Sequence, residues 1–300
     1  MNEKPSFIRA TRIGGHAYRY LTTQPHAGWV VSSFSSGINL LLEGGEAFVP
    51  VQTTNVPLHP WAIEILSQAL RFAEGTPVST EKGGLLVGNT HILFSTARIE
   101  ELSLPQFSVE EAAIAQRKFS LLARFVKESR KTRPPDPFQP QIDAILAGWR
   151  ESKDPMVLLD LIGLGAGSTP TGDDVLLGII AGMSLFEPVD DRARGVLAQL
   201  RVGIRETAHA RTPLPSAQML LSACARSFPA PLLALLEALT SPNTSEDDLR
   251  ERAEHVARLG HRSGLAITSG LTGSLHTHIM LHFKTQPRRR FCQHCDGMTC

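Results

Sequence analysis

The run from Gly163 to Gly178, Gly-Leu-Gly-Ala-Gly-Ser-Thr-Pro-Thr-Gly-Asp-Asp-Val-Leu-Leu-Gly, gathers small, hydroxyl and acidic residues in one place. Glycines at 163, 165 and 167 permit positive φ and close approach to the backbone. Gly172 then opens an apolar segment that Thr171 is placed to cap. Free amide N–H groups at such a start, with the hydroxyls of Ser168, Thr169 and Thr171, make a donor-rich site for a small anion. The same residues also read as an ordinary helix start. Thr171 and Asp174 have the spacing of a capping box, and acids in a first turn offset the helix dipole. On that reading Asp174 serves the cap, which leaves Asp173 as the more functional of the pair.

Two nucleotide sites are excluded. The run lacks the Gly-Lys-Ser/Thr ending of a phosphate-binding P-loop. Its Gly-x-Gly-x-Gly is followed after Phe186 by another helix, with no second parallel strand to carry a ribose-binding acid.

A second glycine-framed start is Gly260-His-Arg-Ser-Gly264. Here Arg262 can hold a carboxylate or phosphate, His261 can titrate near neutral pH, and Ser263 can donate or cap. Arg211, in a polar turn that leads to Ser216, is a third candidate for anion binding. In the tail, His278 and His282 lie four apart on a helix, and Cys292 and Cys295 form Cys-x-x-Cys. Both are spacings used by structural zinc. Asp173 and Asp174 are a candidate pair for a divalent cation.

The elements that must position these groups fall into two kinds. Between His16 and Leu104 short apolar runs alternate with turn residues: 28–31, 38–42, 47–51, 85–87 and 91–94. These read as strands. Residues 43–46 and Gly88-Asn89 read as hairpin turns. Leu58 to Glu74 reads as a helix, with Trp61, Ile65, Leu66 and Leu70 on one face. After Pro105 the apolar period becomes 3.6, giving helices over 109–131, 140–151, 172–186, 192–210, 216–226, 230–239, 245–259 and 263–282. The expected class is α+β, with an antiparallel, barrel-like N-terminal domain over 1–105, a helical domain over 106–287 and a Cys/Arg-rich tail over 288–300.

Of the 300 residues 42% are hydrophobic and 20% charged, an ordinary globular composition. Thirty basic and 29 acidic residues leave a net charge of +1, no global field for nucleic acid or an anionic membrane. The segment 1–20 has no apolar core of a secretory signal, and the longest apolar run, 175–186, is too short to cross a bilayer. A cytoplasmic protein is expected.

The Thr-Pro-Thr-Gly-Asp-Asp element, the Gly-His-Arg-Ser-Gly element about ninety residues later and Gly37-Ile-Asn-Leu near a hairpin together resemble a bacterial family. That family includes the AllH subunit of oxamate carbamoyltransferase, and the resemblance spans about Phe34 to Leu281. Ala166, Ser168 and Ala266 depart from its pattern, where proline, leucine and an acid are expected. The resemblance implies a heteromeric transferase of anaerobic allantoin (purine) breakdown. It would interconvert oxalurate plus phosphate with oxamate plus carbamoyl phosphate, beside other subunits.

The site expected for such a small anionic substrate comprises Gly165, Gly167, Ser168, Thr169, Thr171, Gly172, Arg211, Arg262 and Ser263 as binding groups, and His261, Asp173 and Asp174 as catalytic ones. Two carboxylates would repel an anion cradled at the same helix start. They fit if they accept hydrogen bonds from a substrate NH₂ group, hold a bridging cation, or turn inward as caps. The alternatives are an interaction subunit whose glycine loops dock partner chains, and a metal-assisted hydrolase built on Asp173 and Asp174. In the working arrangement both glycine-framed starts face one concave site.

Overall fold

The computed structural model describes residues 6–42, 47–66 and 70–283, with side chains described as far as residue 274. Among them nine strands precede eight of the nine α-helices: β1 (Ser6–Gly14), β2 (Ala27–Phe34), β3 (Gly37–Leu42), β4 (Ala47–Thr53), β5 (Ile63–Ile65), β6 (Pro77–Glu81), β7 (Gly84–Val87), β8 (Thr90–Leu93) and β9 (Arg98–Glu100), with the ninth helix, α1 (Gly15–Thr23), between β1 and β2. The strands run in the order β5-β4-β3-β2-β6-β7-β8-β1-β9, and β5 also pairs with β1, so the sheet closes into a barrel. Closure depends on β1 serving several neighbours. Its first half pairs in parallel with β8, and its second half lies between β9 and β5. Alternation sets the inside: Ile38, Leu40 and Leu42 of β3 and Val49 and Val51 of β4 are fully or almost fully buried in the barrel core.

The expected helix over 58–74 does not form. Ile63–Ile65 is instead a strand, parallel to β4 and antiparallel to β1, and Leu66, expected on the buried face, is 73% exposed. The β-branched pair Ile63 and Ile65 fits a pleated surface, and the ring closure supplies backbone partners on both sides. Strands β1 and β6 and helix α1 were not expected either, because charged and polar residues break up their apolar pattern. The α+β class itself holds, with strands first and helices after.

The helices are α2 (Val109–Lys131), α3 (Gln139–Ser152), α4 (Thr171–Phe186), α5 (Asp191–Arg211), α6 (Leu214–Cys224), α7 (Ala230–Thr240), α8 (Glu246–Ala257) and α9 (Ser263–Phe283), with a 3₁₀ turn over Pro155–Leu161. Helix α4 is the axle: every residue from Gly172 to Phe186 is buried, which is why its sequence is apolar all round. It packs most closely on α9. A Cβ on Gly178 would lie 2.0 Å from the Ile267 carbonyl oxygen, so only glycine permits this spacing. No helix among the described residues is long and apolar enough to cross a membrane.

Barrel and helices meet along α6. The Gln218 Oε1 accepts the Phe48 amide at 2.8 Å, and the Ser222 hydroxyl lies 3.0 Å from Trp61 Nε1 and 3.1 Å from His16 Nδ1. Because Ser222 gives its own proton to the Gln218 carbonyl, both rings must donate to it. The glycine-framed start of α4 opens beside this seam.

Candidate active site

The loop 163–170 is shaped by its glycines and fastened by Asp173. Gly163 stands at φ +79°, and a Cβ there would lie 2.0 Å from the Arg211 carbonyl oxygen. Its amide donates to Asp173 Oδ1 at 2.8 Å, while Asp173 Oδ2 accepts from the hydroxyls of Ser216, at 2.6 Å, and Thr212. One carboxylate thereby ties the loop, the turn after α5 and the start of α6 together. Burial pushes its pKa up, and these three donors act against that.

The expected cap is not made. Pro170 is the N-cap and has no side-chain bond, and Thr171 instead donates its hydroxyl to Asp136 Oδ2 at 2.9 Å. Asp136 in the Pro-rich 132–138 loop draws Thr171 away from the helix end, so Asp174 is released from the capping-box role. Asp174 is only 6% exposed; its carboxyl has the Ser263 hydroxyl as its hydrogen-bonding neighbour and leaves the buried Oδ2 without a partner. Burial, with the adjacent Asp173 charge, pushes its pKa up to about 8.

Asp174 lines a cleft of about 510 Å³ between the barrel and the helices. The loop contributes Ser168 and Thr169, α9 contributes Ser263, α6 contributes Ser216 and Gln218, and the barrel contributes Asn39, Phe48, His59 and Trp61. Thr169 and Ser263 hydroxyls are 3.1 Å apart, so the two glycine-framed starts do touch. His59 accepts the Trp61 amide on Nδ1 at 3.3 Å, and desolvation pulls its pKa down to about 4. The ring is neutral at pH 7 and carries its proton on Nε2. Gln218, its oxygen spent on Phe48, has a buried Nε2 without a partner. The wall of the cleft thus contains a buried protonatable carboxyl, a buried amide NH₂ and an imidazole N–H. Arg258 is the single guanidinium among its described lining residues, and it pairs with Glu254 at 3.3 Å.

The single concave site expected from the sequence is two cavities. His261, Arg262 and Thr171 line a second one, of about 410 Å³, on the other side of the loop. There Arg262 lies 3.4 Å from Asp136. The Arg211 side chain lies in neither lining and faces Asp160 at 3.7 Å. Gly165, Gly167 and Gly172 form the loop and the first turn: the Gly172 amide is taken by the Leu164 carbonyl at 2.7 Å, so it does not serve an anion. Among the described residues no group of three metal-ligating side chains occurs, and Asp173 is fully engaged by hydrogen bonds. Cys292 and Cys295 lie outside the described residues, as do the side chains of His278 and His282, so the zinc expectation falls outside them too. Sequence reasoning missed Gln218, His59 and Trp61. A buried glutamine in the apolar helix α6 was the one available signal.

The comparisons bear on the same elements. Residues 161–275 match the family model described as oxamate carbamoyltransferase subunit AllH, and residues 9–99 match that of the AllH family N-terminal domain. Neither curated proteins nor solved structures yield a match. The first match begins just before the glycine loop and takes in both helix starts; the second spans the barrel. The chain belongs to the AllH family, which marks it as a subunit of an oxamate carbamoyltransferase with other subunits as its partners.

Proposed function

We propose that the cleft beside α4 is a substrate site of a carbamoyl-transferring assembly that converts oxalurate and phosphate to oxamate and carbamoyl phosphate in allantoin breakdown in the cytoplasm. The observation that carries this reading is the orphaned, buried Asp174 carboxyl, set in a cleft of neutral donors within the segment that matches the family. In that reaction a hydrogen phosphate oxygen bonds to the ureido carbon of oxalurate, the bond from that carbon to the oxamate nitrogen breaks, the nitrogen takes a proton, and the proton lost from the phosphate restores the donor. A carboxyl that stays protonated at neutral pH can supply the proton, and it brings no charge to repel the anionic substrate. Asp174 has this role, and Gln218 Nε2 and His59 Nε2–H hold the oxygens of the oxamate half. Asp173 is a positioning residue, holding the loop through Gly163. The cleft has no unpaired cation among its described residues, so the phosphate charge is met by a neighbouring subunit, in keeping with a heteromer.

The test is reconstitution. The chain is co-expressed with the other subunits and the purified assembly is supplied with oxalurate and phosphate. Carbamoyl phosphate forms only when this chain is present. An assembly that turns over equally well without it would reduce the chain to an interaction subunit.

A further inference from the structure

Among the described residues three guanidinium groups line the second cavity, those of Arg130, Arg133 and Arg262, with His261 beside them and Asp136 the one carboxylate. Arg133 is occupied, donating to the carbonyls of Ala257 and His261 at 3.0 and 3.3 Å. Arg262 shares Asp136 with Thr171. Arg130 has no ion pair or hydrogen bond among the described residues.

The dipole of α2 explains Arg130, which sits in its last turn, but it does not explain Arg262. Arg262 immediately precedes α9, the end at which a cation is disfavoured. One carboxylate against three guanidinium groups leaves a positive excess around the cavity. A bound anion relieves both costs, and the planar forks of Arg130 and Arg262 suit oxygens held in pairs.

We propose that this cavity binds the oxyanion group of a small molecule, a phosphate or a carboxylate, at a site separate from the cleft. The loop 163–170 divides the two: Thr169 faces the cleft and Thr171 faces the cavity. This inference stands independently of the carbamoyl-transfer reading, because it uses none of the cleft residues.

The experiment titrates the full-length chain with inorganic phosphate and, separately, with oxalate, by calorimetry at constant ionic strength. At least one probe binds saturably. Arg130→Gln and Arg262→Gln each weaken it by roughly tenfold or more, as expected for loss of a charge-assisted contact. Asp174→Asn, which alters the cleft alone, leaves it unchanged. Phosphate preference identifies a phosphorylated ligand and oxalate preference a carboxylate. Thermal melts without probe confirm that the exposed Arg130 variant is folded, and Arg130→Lys, which keeps the charge but loses the fork, recovers part of the affinity. The proposal is overturned by no saturable binding, by binding indifferent to both arginine substitutions, which marks an adventitious ion only, or by binding lost in Asp174→Asn.

Discussion

Replacing Asp174 by Asn should make the protein more stable as pH rises relative to the parent. The buried carboxyl titrates near pH 8 in the folded chain and near its ordinary 3.8 in the unfolded chain. Between those values the folded state holds a proton that the unfolded state releases. Stability therefore falls with rising pH across that window, and the cost is complete above about pH 8. Each unit inside the window is worth about 1.4 kcal/mol, so the three units from pH 5 to pH 8 amount to about 4 kcal/mol. Asparagine has nearly the same shape and no charge, so its own burial cost is the same at both pH values. The assay is urea unfolding of parent and Asp174→Asn at pH 5, 6, 7 and 8. The difference in unfolding free energy, variant minus parent, should climb by an amount of that order. A difference that stays flat with pH would show that Asp174 is ordinarily ionised in the folded protein, and the argument from desolvation would fail.

Four further outcomes follow. Asp173→Asn should destabilise the chain by about 3 kcal/mol in the same unfolding assay, because the new amide cannot accept from all three donors that now converge on the carboxylate. Gly163→Ala places a methyl group on the Arg211 carbonyl at positive φ, and a loss of about 2 kcal/mol or more is expected by thermal melting. Gly178→Val forces α4 and α9 apart and should cost about 3 kcal/mol or abolish soluble protein, as judged by expression and circular dichroism. Turnover of the assembly should fall above about pH 8 as Asp174 ionises, and the descending limb of the pH–rate profile should vanish in Asp174→Asn.

The helical half was readable because its segments are long and their 3.6 period is uninterrupted: the α2 range matches residue for residue, and α4, α5 and α7 agree to within one residue at each end. Barrel strands β2, β3, β4, β7 and β8 were readable from their apolar runs. Strand β5 was not, because Trp61, Ile65, Leu66 and Leu70 are spaced as on a helix. What decides for strand is the pairing with β4 and β1, which no local window contains. The site was legible in outline, as two glycine-framed starts that meet. Its division into two cavities was not, since it depends on Asp136 in a proline-rich loop capturing Thr171 across 35 residues of chain. The same capture undoes the capping box and leaves Asp174, rather than Asp173, with the free carboxyl oxygen. On the barrel wall of the cleft only Asn39 belongs to a motif the sequence singled out, Gly37-Ile-Asn-Leu; His59 and Trp61 carry no motif, because they owe their place to how α6 docks on the barrel.

The claim that the cleft is a substrate site is tested most directly by turnover of the reconstituted assembly carrying Asp174→Asn. The variant should assemble normally and lose roughly a hundredfold or more in kcat, the usual scale for removing a proton donor. Carbamoyl phosphate formed from oxalurate and phosphate at the parent's rate by that variant, with its assembly intact, would contradict the account.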